Sequence, residues 1–177
     1  MNQLITPAYI EEQHKLHQDP GYGAGSHRYA HLLISIMHRH NCNSVLDYGA
    51  GKGTLAAEMR KQGIVISEYD PCVPGKESAP EPADLVVCID VMEHIEPACF
   101  DAVLGDLARL SRKMLFVDIA TKFDKHRWLS DGRNSHQIVN EGKWWENQLN
   151  VYKFRTIEKW ETGLKAWIAL MVSNANN

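Results

Sequence analysis

The chain has 177 residues, 44% of them hydrophobic, and a formal net charge of −3, a size that supports one domain with a full hydrophobic core. The mild acidity excludes bulk electrostatic binding of nucleic acid, leaving room only for a local basic patch. No apolar run approaches the roughly 20 residues of a membrane span, no leader pattern opens the chain, and Cys42, Cys72, Cys88 and Cys99 form no C-x-x-C pair, so a cytoplasmic protein with free thiols and no membrane contact is expected.

In chain order, Tyr9 to Tyr29 comes first, with His14, His17, His27 and the run Gly21-Tyr22-Gly23-Ala24-Gly25-Ser26. His14 and His17 have no patterned acid or cysteine beside them and fit a solvated helix face; the glycines suit a flexible flap. An apolar helix is predicted from about Ala30 to His40, then a strand near Ser44 to Tyr48 and a helix near Thr54 to Gln62. Ile64 to Tyr69 reads as a second strand closed by Asp70-Pro71. Leu85 to Ile89 reads as a third, continuously apolar as a buried parallel strand should be. Between them Pro74, Gly75, Pro80 and Pro82 disfavour a helix or central strand. A helix opening at Pro97 puts Phe100, Val103, Leu104, Leu107 and Leu110 on one face, and Met114 to Ile119 is a fourth strand. Lys143 to Leu149 is helical, and Val151 to Trp160 with Leu164 to Val172 forms a hairpin turning at Thr162-Gly163. The alternation predicts one α/β domain over 1–177: three layers, a doubly wound, mostly parallel sheet, and an antiparallel C-terminal hairpin.

The densest signal is Val45-Leu46-Asp47-Tyr48-Gly49-Ala50-Gly51-Lys52-Gly53, where a short apolar strand delivers an acid and three alternating glycines at one turn before a helix. Dinucleotide-binding loops place glycines at relative positions one, three and six; here they fall at one, three and five, with Thr54 at six. This D-x-G-x-G-x-G form resembles motif I of class I S-adenosylmethionine-dependent methyltransferases. The resemblance implies that Asp47 organises the loop and the amino group of the methionine moiety, and that Gly49, Ala50, Gly51 and Gly53 lie along the cofactor. Asp70, at the tip of the second strand about twenty residues on, resembles the acid that accepts the ribose hydroxyls, in preference to Glu68; the alternative is a turn-capping Asp before proline. The family normally fits a helix and another strand where Pro71 to Asp84 stands, so the sheet is expected to be trimmed by one edge strand and its helix, with the adenine pocket closed differently.

Ala83 to Ile95 contains Asp90-Val91-Met92-Glu93-His94, which resembles motif IV of methyltransferases acting on small molecules and on some RNAs. It lacks the Asp/Asn-Pro-Pro-Tyr of amino-methylating DNA enzymes and any Pro-Cys nucleophile at this strand end, which disfavours DNA base methylation and recognition of duplex DNA. Asp90, Glu93 and His94 stand at relative positions one, four and five, so a helical turn gathers them on one face. The pattern also resembles the Glu-x-x-Glu-His metal site of small-RNA 2′-O-methyltransferases, with Asp90 in place of the first Glu and His136 as the downstream histidine. Three readings follow: a divalent metal (Mg²⁺ or Mn²⁺) on Asp90, Glu93, His94 and His136; a metal-free catalytic set of His94, His136 and Asp90, with Asp90 also touching the cofactor; or a structural His94.

The segment 121–140 falls where the family places acceptor-binding residues. Lys122, Lys125, His126, Arg127 and Arg133 make it basic, with Trp128, Trp144 and Trp145 close by. An anionic or aromatic acceptor suits such a surface, a nucleotide or RNA end included, although a solvated loop over packed tryptophans is the plainer account. The resemblance therefore implies an S-adenosylmethionine-dependent methyltransferase acting on a hydroxyl of a small molecule or of an RNA or nucleotide ribose. N-methylation of a small molecule or protein, and a non-catalytic binding module, are the alternatives. Residues 1–29 are expected to form a lid over the cofactor.

Overall fold

Alternate residues of the central strands feed two separate cores in the computed structural model, which describes residues 3–173. Val45, Leu85, Val87 and Phe116 pack with Leu33, Ile36, Leu55 and Met59, whereas Leu46, Val86, Leu115 and Val117 pack with Phe100, Leu104, Leu107 and Trp145. Side chains of a strand alternate between faces, so one sheet with helices on both sides satisfies both sets. The strands are Val45–Tyr48 (β1), Ser67–Tyr69 (β2), Ala83–Ile89 (β3), Ser111–Ala120 (β4), Phe154–Glu161 (β5) and Lys165–Val172 (β6), in the order β2-β1-β3-β4-β6-β5. β1 pairs in parallel with β2 and β3, and β3 with β4; β6 runs antiparallel to β4 and β5. The helices are Pro7–Leu16 (α1), Ala30–Arg39 (α2), Thr54–Lys61 (α3), Phe100–Leu110 (α4) and Gly142–Val151 (α5).

Several boundaries differ from the sequence reading; β3 starts at Ala83 rather than Leu85, and Pro97–Cys99 is a 3-10 turn that precedes α4. β2 starts at Ser67 rather than Ile64, because Gly63, at φ 76°, ends α3 with Ile64 N donating to Met59 O, and Val65 is left 80% exposed. The hairpin opens at Phe154: α5 continues through Val151, and Lys153 at φ 67° turns the chain out of the helix. β4 extends to Ser111 and Ala120, Ser111 pairing with Ala83 of β3 and Met114 to Ala120 pairing with β6. No helix or strand forms between Tyr69 and Ala83, and β2 is the sheet edge, so the sheet is trimmed as the resemblance implied. All four cysteines are buried and free. No helix among the described residues is long and apolar enough to cross a membrane.

Candidate active site

Open parallel sheets bind ligands beyond the carboxyl ends of their strands, where the strand order reverses. Here that point lies between β1 and β3, and a cavity of about 400 Å³ occupies it, floored by the strand tips and roofed by the N-terminal segment. The glycine loop forms one wall. Gly49 has φ 81°, and a Cβ there would overlap Val91; at Gly51, φ 48°, it would stand 2.8 Å from Gly23 O. Gly49 N and Ala50 N donate to Tyr69 O (2.7 and 3.0 Å), stapling the loop to the end of β2. Asp70 completes the staple, accepting from Gly51 N and from Cys72 N, both at 2.9 Å, while still lining the cavity. It thus serves the turn-capping role directly, and its remaining lone pairs face the cavity side.

Of the residues expected along a cofactor, Gly49, Ala50, Gly51, Asp70 and Asp90 line the cavity; Asp47 and Gly53 do not. Asp47 lies beneath the loop, 1% exposed, with Oδ2 unpartnered, and burial, reinforced by Glu68, pushes its pKa up to about 7. The sequence placed it in reach of a ligand; here it lies outside the cavity lining, near Glu68, Lys76 and Asp70. Gly53 starts α3 and accepts from Ala57 N through its carbonyl.

Asp90 stands at the tip of β3 with φ 54°. Its carboxylate meets Arg28 at 3.0 Å and is also in contact with Lys165. Lys165 reaches Asp118 at 2.9 Å, and Asp118, 1% exposed, has its acidity reduced chiefly by burial. Two acids and two bases thus form a balanced cluster at one end of the cavity. Arg28, Asp118 and Lys165 carry no local motif; the pairing of Asp118 with Trp167 and Ala120 with Lys165 brings the latter two together, and Arg28 reaches them from the turn Ser26–Tyr29.

Glu93, His94 and His136 offer ligand atoms within 4.8 Å of one another; Asp90 is outside this group, drawn away by Arg28 and Lys165. The four-residue metal set expected from the sequence is therefore a triplet. Gln137 N and Ile138 N donate to Glu93 O (2.7 and 3.1 Å), which brings His136 to the site across more than forty residues of chain. Glu93 is 1% exposed; Oε1 accepts from Ala120 N at 2.9 Å and Oε2 has no partner. Burial, then Asp90, raises its pKa to about 8. His94 Nδ1 lies 2.9 Å from Ser135 O, and His136 Nδ1 lies 2.6 Å from Lys122 O. A carbonyl only accepts, so each Nδ1 carries a proton, and in the neutral ring the lone pair is on Nε2. Burial, then His136, lowers the His94 pKa to about 4, so this ring is neutral at physiological pH.

Sequence reasoning treated His14 and His17 as one solvated face. Of the two only His14 is exposed; His17 lines the cavity edge-on to Tyr22, ring centroids 5.0 Å apart. Tyr22 Oη donates to Gln13 Oε1 at 2.8 Å and packs edge-on against His94. Tyr9, Gln13 and Tyr22 were not legible as site residues, because a single tyrosine or glutamine on a short helix, or a tyrosine in the turn after it, has no motif. The 121–140 segment is also more ordered than its composition suggested. Asp124 accepts from His126 N and Arg127 N, Asn134 Oδ1 accepts from Asp124 N and His136 N, and Trp128 bridges to Asn134 around Gly132.

Known structures share this architecture. The 1,6-didemethyltoxoflavin-N1-methyltransferase of Burkholderia thailandensis, with its substrate and S-adenosylhomocysteine bound, superposes with a TM-score of 0.69 at 14% identity, over 97% of this chain and 92% of its own. Magnesium protoporphyrin IX methyltransferase from Synechocystis PCC 6803, with S-adenosylhomocysteine bound, gives 0.64 at 14% identity, over 94% and 95%. Mitomycin 7-O-methyltransferase gives 0.63 at 13% identity, over 90% of this chain and 60% of its own. No curated protein matches the sequence. Residues 15–162 match the family described as "Methyltransferase domain". With that match spanning the glycine loop, the Asp90 to His94 turn and His136, the chain belongs to the methyltransferase-domain family, as an S-adenosylmethionine-dependent methyltransferase of class I.

Proposed function

We propose that the chain methylates an oxygen, most simply a hydroxyl of a small molecule, at the end of the cavity bounded by Glu93, His94 and His136. The observation that carries this reading is the pair of imidazoles, ring centroids 4.8 Å apart, whose Nδ1 atoms are both held by backbone carbonyls, so that Nε2 is the nitrogen each ring has left to offer an acceptor. Amine acceptors lose their proton readily after transfer, whereas a hydroxyl needs a base or a Lewis acid beside it.

The residues present fit the methyl donor. Gly49 and Gly51 leave backbone open where any Cβ would close it, Asp70 stands at the ribose position, and Asp90 with Arg28 offers one anion and one cation to an amino-acid zwitterion. Bound S-adenosylmethionine supplies a sulfonium-activated methyl group, so the protein's work is orientation and proton removal. His136 is the proposed proton acceptor, its Nε2 3.9 Å from Asp124 Oδ2. His94 stays neutral and orients the acceptor.

A second reading is favoured by Glu93 Oε2, a buried carboxylate oxygen without a partner. Two imidazoles and one carboxylate also suit a divalent ion, and nitrogen-rich donors fit Mn²⁺ better than Mg²⁺. Such an ion would act as a Lewis acid on the acceptor oxygen.

A screen of radiolabelled methyl transfer to hydroxyl and amine small molecules and to short RNAs tests the assignment, run after chelation and with Mn²⁺ restored. We expect labelling of hydroxyl acceptors and a 10²- to 10⁴-fold fall in turnover, typical of a lost general base, in His136→Ala, with S-adenosylhomocysteine binding retained. Labelling of amines alone, indifferent to His136→Ala, would overturn O-transfer.

A further inference from the structure

Where the sheet is trimmed, the turn after β2 folds back on itself. Asp70 N donates to Lys76 O at 2.9 Å, and Lys76 N donates to Val73 O at 3.0 Å. This brings the Lys76 ammonium to the glycine loop, where it donates to Gly51 O at 2.9 Å and to Glu68 Oε1 at 2.7 Å. Lys76 does not itself line the cavity, whereas Gly51 does. We infer that Lys76 is a positioning residue for the methyl donor, setting the peptide between Gly51 and Lys52, whose carbonyl it holds and whose N–H holds the roof. The inference rests on the proposed placement of the donor in this cavity.

The geometry of one peptide carries the argument. The C=O and N–H of a trans peptide point in opposite directions, and no peptide in the described residues is cis. With Gly51 O held by Lys76, the N–H of Lys52 points the other way and donates to Gly23 O of the roof at 3.1 Å. Gly51 N is fixed separately by Asp70 at 2.9 Å, so both polar groups of Gly51 are tied to the chain between β2 and Lys76. A glycine at φ 48° gives its peptide wide rotational freedom, and a charged donor on the carbonyl removes it. The ammonium is held in turn by Glu68, the two side chains being only 19% and 25% exposed.

Gly53 answers to the same arrangement. It is outside the cavity lining, and a Cβ there would stand 2.5 Å from Glu68 Oε1 and 2.8 Å from Lys76 Nζ. The third glycine of the loop thus makes room for the ion pair and not for the donor. Asp47, Glu68 and Asp70 also gather here, and Lys76 is the cation that opposes the effect of the other two acids on Asp47.

Isothermal titration of the full chain with S-adenosylhomocysteine, beside hydrogen exchange without ligand, tests the inference. Lys76→Met keeps the length of the side chain and removes the ammonium; Lys76→Gln is a second neutral variant, and urea unfolding reports whether each remains folded. We expect S-adenosylhomocysteine to bind about tenfold more weakly to the neutral variants, equivalent to ~1.4 kcal/mol. Exchange should quicken at the Lys52 amide and across 21–26 while α4 keeps its protection, a pattern that a general loosening of the fold would not give. Lys76→Arg, which retains the charge and the donors, should recover most of the affinity. Unchanged binding by either folded neutral variant overturns the inference. So does a loss of affinity with exchange at Lys52 and 21–26 unaltered, or one that Lys76→Arg repeats in full. If the wild-type chain does not bind S-adenosylhomocysteine, the placement of the donor fails instead.

Discussion

At the glycine loop, Asp47 bears a burial cost that no partner offsets. Its pKa stands at about 7 against 3.8 for an ordinary aspartate, so between those values the folded chain holds a proton that the unfolded chain has released. Stability therefore declines as pH climbs from about 4 to about 7, and the loss is complete above the folded value. Asp47→Asn removes the titration while keeping the shape. Urea unfolding at pH 5 and pH 8 should find the variant gaining on the wild type at the higher pH, by up to roughly 2.5 kcal/mol, since about two pKa units lie between pH 5 and the folded value. A difference between the two proteins that does not change with pH would contradict this account. Gly49 makes a harder demand: alanine there must adopt φ 81° and overlap Val91, so Gly49→Ala should lose S-adenosylhomocysteine binding in titration and unfold at lower denaturant.

Among the elements, those with one strong period were legible. α4 was predicted from Phe100, Val103, Leu104, Leu107 and Leu110, and all five are buried against β3 and β4. Leu104 is fully enclosed, and Leu104→Ala should cost 2–5 kcal/mol, the usual range for emptying such a site, measured as a shift in the urea midpoint at unchanged slope. β2 was overestimated because Ile64-Val65-Ile66 carries a strand's composition, yet Gly63 places Ile64 in the helix-ending turn. Composition speaks to what a segment prefers; the left-handed glycine before it decides where the segment is allowed to begin. Within the site the same division holds. Gly49, Gly51, Asp70 and the Glu93-His94 pair were readable because they cluster at strand tips, and His136 because of its downstream position. Arg28, Asp118 and Lys165 were not, since the antiparallel register of β4 on β6 unites Asp118 with Lys165 and Arg28 joins them from a turn ninety residues earlier in the chain.

Over the whole molecule, two segments far apart in sequence close the cavity together. Asp19 pairs with Arg127 through two bonds of 2.7 and 3.1 Å, Arg127 also covers the Tyr22 ring, and Glu12 accepts from Ser130 N at 2.7 Å. These links run along an exposed seam, where each ion pair contributes about 0–1 kcal/mol, so the seam is weak enough to part and the roof can open without unfolding either core. Ligand that binds beneath the roof should then stabilise both segments at once. Hydrogen exchange with and without S-adenosylhomocysteine should find protection at 49–53 and, together with it, at 9–29 and 124–135. Asp19→Ala cuts the doubly bonded link while leaving the glycine loop intact. In that variant protection at 49–53 should persist, while the gain at 124–135 shrinks because the ligand no longer acts on that segment through the roof. Equal gains at 124–135 in both proteins would mean that the acceptor-side segment is held by its own internal bonds, through Asp124 and Asn134, and that N-terminal closure is independent of it.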